Sequence, residues 1–126
     1  MVKTSFDGQL GILDSSFEKN VTVDEVVNYI TATRLNKRYP RVLKILTDAT
    51  TATMDFSPTD LNRIVEENLK SLELYDQIID AIVIDSPRVT AMSLLYKDLA
   101  KSDKYRFEVF STRETALKWL MSQNVR

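Results

Sequence analysis

The chain has 126 residues, 44% apolar and 28% charged, with 17 basic side chains against 18 acidic. That length gives one domain over residues 1–126, able to remove roughly two-thirds of its unfolded surface from water. With no Cys, no His and only two Gly, it excludes disulfides, structural zinc, thiol nucleophiles, imidazole bases and glycine-loop phosphate cradles.

Val2, Thr4 and Phe6 alternate with Lys3 and Ser5, and Asp7-Gly8 supplies a hairpin turn. Leu10 and Ile12 begin the returning strand, whose alternation fails after Ile12 and predicts a bulge or irregular exit. Thr22-Val23-Asp24-Glu25 is a capping box opening a helix with the stripe Val23, Val26, Val27 and Ile30. That helix closes before Pro40, with Arg34, Lys37 and Arg38 in its last turns. Val42 to Thr47 reads as a strand.

Ser57-Pro58 opens the next helix, with Asp60 in its first turn. Its expected apolar face is Leu61, Ile64, Val65, Leu69 and Leu72. Asn68 lies on that stripe and needs a partner if buried. Ala81-Ile82-Val83-Ile84 is the kind of wholly apolar run that forms a strand covered on both faces. Ser86-Pro87 opens a third helix with the stripe Met92, Leu95 and Leu99. Tyr105, Phe107 and Val109 alternate with Arg106 and Glu108, which predicts an edge strand. Ser111 or Thr112 then caps a last helix carrying Ala116, Leu117, Leu120 and Met121. The fold class is α/β: an N-terminal β-hairpin, then α-β-α-β-α-β-α, with right-handed crossovers and a mostly parallel sheet of four or five strands.

The strand ending in Leu46-Thr47-Asp48, Phe56-Ser57-Pro58 at a helix start, Ala81 through Pro87, and the closing run from Phe107 to Leu120 occur in an order that resembles the SpoIIAA-like proteins. These form a small bacterial branch of the STAS superfamily and are grouped with the lipid-binding CRAL-TRIO fold. The resemblance spans nearly the whole chain and implies a β/α superhelix with a four- or five-stranded sheet, and it implies little about activity. In the anti-sigma-factor antagonists of that superfamily, a Ser after a central strand is phosphorylated within Asp-Ser-Ser-Gly. Asp48 and Ser57 stand at the two ends of the matching segment here, but Ser-Ser-Gly is absent. Ser57 is therefore a phosphorylation candidate that departs from the motif; Thr51 is the other hydroxyl of interest. The lipid-binding relatives need additional helices for which 126 residues leave no room.

In parallel sheets, ligands gather at the carboxyl ends of the strands. The expected binding candidates there are Asp48, Thr50, Thr51, Asp55, Ser57, Asp85 and Ser86. Beside that expectation stands a plain one, in which these are turn and cap residues at strand-to-helix junctions. The basic run Arg34, Lys37, Arg38, Arg41 and Lys44 faces an acidic stretch over residues 55–85, and the two either neutralise each other or meet across a homotypic contact. Trp119 is expected at the edge of the core.

No catalytic residue, metal ligand or cofactor is expected. The leading expectation is a non-enzymatic cytoplasmic interaction module, binding a protein partner or a second copy through residues 48–57 and the helix after them. The alternative is a small-ligand sensor for an anion, a nucleotide or a lipid at the strand ends. A third is a metal-assisted hydrolase built on Asp48 and Asp85. A net charge of −1 argues against nucleic acid, and the absence of an 18-residue apolar run or a charged-then-apolar leader argues against a transmembrane segment.

Overall fold

A computed structural model describes residues 1–123. Strands β1 (Val2–Asp7) and β2 (Ile12–Val21) form the antiparallel hairpin. The connection is longer than a two-residue turn. The Asp7 carboxylate accepts from the N–H groups of Gln9 and Leu10 at 2.9 and 3.0 Å, and the Gly11 N–H donates to the Asp7 carbonyl at 2.8 Å. The left-handed position falls on Gly11, at φ 69°, and not on Gly8. The Asp side chain bridges the backbone two and three residues on, which widens the loop. The irregularity expected in β2 appears as a register shift between Ser16 and Glu18, with Lys19 at φ 60°.

Helix α1 (Val23–Leu35) starts on the capping box: Thr22 Oγ1 accepts from Glu25 N at 3.2 Å, and the Glu25 carboxylate accepts from Thr22 N at 3.1 Å. It stops at Leu35, so Lys37 and Arg38 lie beyond its last turn. The chain continues through β3 (Val42–Met54), α2 (Pro58–Ser71), β4 (Gln77–Val83), α3 (Pro87–Leu99), β5 (Tyr105–Phe110) and α4 (Arg113–Ser122).

The five strands lie in the order in which the chain makes them, with β1 antiparallel and the rest parallel. Right-handed crossovers that always step in one direction leave their helices on one face of the sheet. Accordingly Val26 of α1, Ile64 of α2 and Val89 of α3 share one large core with Leu13, Ile45, Ile82 and Phe107. Helix α4 follows the last strand and covers the opposite face, where Ala116 and Leu120 pack on Leu46, Ile79 and Ala81. Strand β4 is thus covered on both sides, as its composition predicts, and β5 is an edge.

Two expectations need correction. Residues 48–54 are not a strand-end loop: β3 runs on to Met54, paired with Val21. The Thr residues there are β-branched and suit an extended, half-buried backbone. The helix faces also differ. Helix α2 buries Leu61, Ile64, Asn68 and Ser71 and leaves Leu69 48% exposed. Helix α3 buries Val89 and Ser93, while Leu95 and Leu99 of the expected stripe stand 45% and 42% exposed beside Leu94.

Candidate functional site

The strand-end residues are used locally. Asp48 accepts from the N–H and hydroxyl of Thr50 at 3.0 and 2.7 Å. Ser57 Oγ accepts from Asp60 N at 3.1 Å, while the Asp60 carboxylate accepts from Ser57 N at 3.0 Å, closing a second capping box on α2. Ser86 caps α3 and Asp55 pairs with Arg88. Thr51 and Asp85 are exposed. The rule that puts ligands at strand ends depends on a crevice where the strand order reverses. This sheet never reverses, so no such crevice forms.

The basic run is partly structural as well. Arg34 pairs with Glu67 of α2 at 3.2 Å and donates to its carbonyl at 3.0 Å. Arg41 donates to the carbonyls of Asn36 and Tyr39 and lies over the Tyr75 ring, 4.1 Å from its centre. Trp119 is half-buried against Phe110 on the α4 side, with ring centres 5.6 Å apart, at the edge of the smaller core.

An apolar space lies elsewhere, between the sheet and helices α1 to α3. It is a chamber of about 100 Å³, walled mainly by apolar side chains such as Phe17, Ile45, Ile78, Ile82, Met92 and Phe107. None of the seven strand-end candidates lines it. Its polar groups come from positions where the pattern leads one to expect apolar ones. Asn68, Ser71 and Ser93 enter from α2 and α3, Tyr29 and Thr33 from α1, and Thr47, Asp80 and Tyr105 from the sheet.

Most of these groups satisfy one another. Ser15 Oγ and the Tyr29 hydroxyl are 2.7 Å apart. The Asp80 carboxylate accepts from the Thr47 hydroxyl at 3.5 Å and from the Tyr105 hydroxyl at 3.2 Å, and Tyr105 meets the Tyr96 hydroxyl at 3.1 Å. Thr33 and Ser71 donate back to carbonyls of their own helices. Ser93 has no hydrogen bond among the described residues, and Asn68 is the other exception. Its residue is 7% exposed, and the side-chain Nδ2 has no partner among the described residues. A buried, unpaired N–H of this kind costs about 1–3 kcal/mol.

Asp80 is the chamber's acid, and no Lys or Arg among the described residues lines the space with it. Removal from water dominates its behaviour and pushes the carboxyl up to about 7, against the smaller opposing pull of the Tyr105 and Thr47 hydrogen bonds. Asp80 is partly exposed and is among the residues that line this chamber. Burial likewise raises the phenols of Tyr29, Tyr96 and Tyr105, which therefore stay neutral donors and acceptors. Sequence reasoning missed Asp80 as a site residue, although a carboxylate set between Ile78-Ile79 and Ala81-Ile82 was its signal.

No protein-family model matches the chain, and no curated protein matches it. Among solved structures it is similar to an uncharacterized protein of the DUF3478 family from Shewanella loihica PV-4, described as having a SpoIIAA-like fold. The likeness covers 94% of this chain and 93% of that one, with a TM-score of 0.65 and 14% identity. The hairpin, the one-directional parallel sheet and the helices packed on it thus constitute a SpoIIAA-like fold.

Proposed function

We propose that this protein is a non-enzymatic regulatory module that holds a small, largely apolar ligand in the chamber between the sheet and helices α1 to α3. The observation that carries this is the chamber itself, an apolar space of about 100 Å³ with an unpaired amide in its wall. An engineered apolar cavity of about 150 Å³ stays dry and takes benzene, and this space, about two-thirds as large but not sealed from solvent, suits a small apolar molecule. A nucleotide is too large for it, and an anion would meet Asp80 with no cation alongside. Asp80 is the one carboxylate on the chamber wall, and an acid without a second catalytic group supports binding over turnover.

Titration of the ¹⁵N-labelled chain with cyclopentane tests this. Amides of α2, α3 and β4 around the chamber should shift in a saturable way. Ser93→Ile, which places a larger side chain into the space from a buried position, should keep the fold and abolish the shifts. No saturable change in the native chain would refute the proposal.

A second reading, docking of a protein partner or a second copy, is favoured by one specific feature: Leu94, Leu95 and Leu99 stand exposed on α3. Light scattering together with cross-linking of the native chain and of Leu95→Lys separates the two readings. An assembly lost in the variant supports docking, and a monomer throughout removes it.

A further inference from the structure

We infer that the chamber takes a small organic cation, a protonated aliphatic amine, whose ammonium group meets the Asp80 carboxylate while its hydrocarbon part fills the apolar space. The inference rests on the ligand-binding reading above and adds the charge of the ligand.

The sheet places Asp80 for this. Ile78, Asp80 and Ile82 point to one side of β4, the side on which Ile78 and Ile82 join the larger core, and Asp80 lines the chamber with them. Its carboxylate accepts from Thr47 through Oδ1 and from Tyr105 through Oδ2. An ionised carboxylate offers about four lone-pair sites, so about two remain for a ligand. Both existing donors are neutral hydroxyls, and no Lys or Arg among the described residues lines the space. The other titratable groups on its wall are the phenols of Tyr29, Tyr96 and Tyr105, which burial keeps neutral. A carboxylate taken from water either gains a positive partner or gives up its charge. In the empty chamber the second holds, and a bound cation supplies the first.

The rest of the wall suits a donor-bearing cation. Ser93 has no hydrogen bond among the described residues, although Thr33, Ser71 and Thr90 each donate to the carbonyl four residues back. Its hydroxyl oxygen is therefore open to an N–H. Asn68 Nδ2 is sealed, so that amide has only its oxygen to offer. An ammonium group brings three donors and no acceptor. Its hydrocarbon part lies among Phe17, Phe56, Tyr96 and Phe107, which line the same space and whose ring faces attract positive charge. A carboxylate or phosphate would meet Asp80 as a like charge.

Cyclopentylamine and cyclopentanol have nearly the same shape and differ in charge, so they form the test pair. The amine, like a Lys side chain, keeps its proton at both pH 5 and pH 8. In ¹H–¹³C spectra it should shift the methyl signals of Ile45, Ile78 and Ile82 in a saturable way. Its affinity should be about tenfold or more higher at pH 8, where Asp80 is ionised, than at pH 5, where it is protonated. The bound amine should also lower the pH at which the Asp80 carboxyl carbon titrates. Cyclopentanol should bind nearly alike at the two pH values. Asp80→Asn should abolish the pH dependence of the amine and leave cyclopentanol unchanged. The native-chain comparison stands alone if that variant does not fold.

An amine whose affinity ignores pH, or that binds Asp80→Asn as well as the native chain, overturns the inference while leaving the chamber a ligand site. Binding of cyclopentanol alone does the same. Binding of neither probe overturns both.

Discussion

Asp80→Asn exposes the energetic consequence of setting a carboxyl in this chamber. Burial pushes the folded carboxyl up to about 7 from its ordinary 3.8, so near neutral pH the folded chain holds a proton that the unfolded chain has released. Stability from this group is therefore complete below the unfolded value and lost as pH rises through the folded one. A shift of about three pH units at about 1.36 kcal/mol each sets a ceiling near 4 kcal/mol. Between pH 5 and pH 8 roughly two of those units apply, and partial wetting of the chamber reduces the effect further, leaving about 1–3 kcal/mol.

Asn matches the protonated acid in shape and hydrogen-bonding pattern, and the Thr47 and Tyr105 hydroxyls can turn to meet it. Urea unfolding at pH 5, where the unfolded chain has already released this proton, should then find the variant ahead by about 1 kcal/mol. By pH 8 that lead should have grown by about 1–3 kcal/mol more, with equal denaturant slopes. The difference between the two chains cancels the exposed carboxylates that titrate in both. A stability difference that stays flat from pH 5 to pH 8, or a ¹³C titration placing the Asp80 carboxyl near 4, would refute the desolvation argument.

Two further perturbations probe the frame that positions the chamber. Ser57→Ala should lower stability by about 1 kcal/mol, because it removes the acceptor for Asp60 N, while Ser57→Asp should retain most of it as another good cap; thermal melts distinguish them. Tyr75→Phe should cost about 1–2 kcal/mol in chemical denaturation, since the Tyr75 hydroxyl donates to the buried Thr33 carbonyl at 2.7 Å, tying the α2–β4 connection to α1.

The order of elements was legible because its punctuation is local. Thr22, Ser57, Ser86 and Thr112 each accept a backbone N–H three residues on, which side-chain chemistry alone predicts. Neutralisation between the basic run and the acidic stretch was also visible in outline, and Arg34 with Glu67 realises part of it. The helix faces were less legible. A stripe containing both Asn68 and Leu69 allows two rotations 100° apart, and only packing against neighbours chooses between them. The chamber was not legible as a candidate site for a topological reason. Local sequence shows that strands and helices alternate, but not whether the strand order reverses.

That topology also bears on why the chamber exists. A one-directional sheet offers no crevice at its rim, so space for a ligand has to be left between the sheet and the helices laid across it. Three helices cover that face, and each turns small or polar residues inward: Thr33 from α1, Asn68 and Ser71 from α2, Ser93 from α3. Leu69, Leu95 and Leu99 remain largely outside on the same helices. Fully burying one Leu is worth about 1.5–3 kcal/mol, and an unpaired amide costs a comparable amount in the opposite sense. A face arranged for stability alone would put the leucines in and the amide out. Sequences depart from that arrangement chiefly where function requires it, and the departure here is concentrated around the chamber that Asn68, Ser71 and Ser93 line.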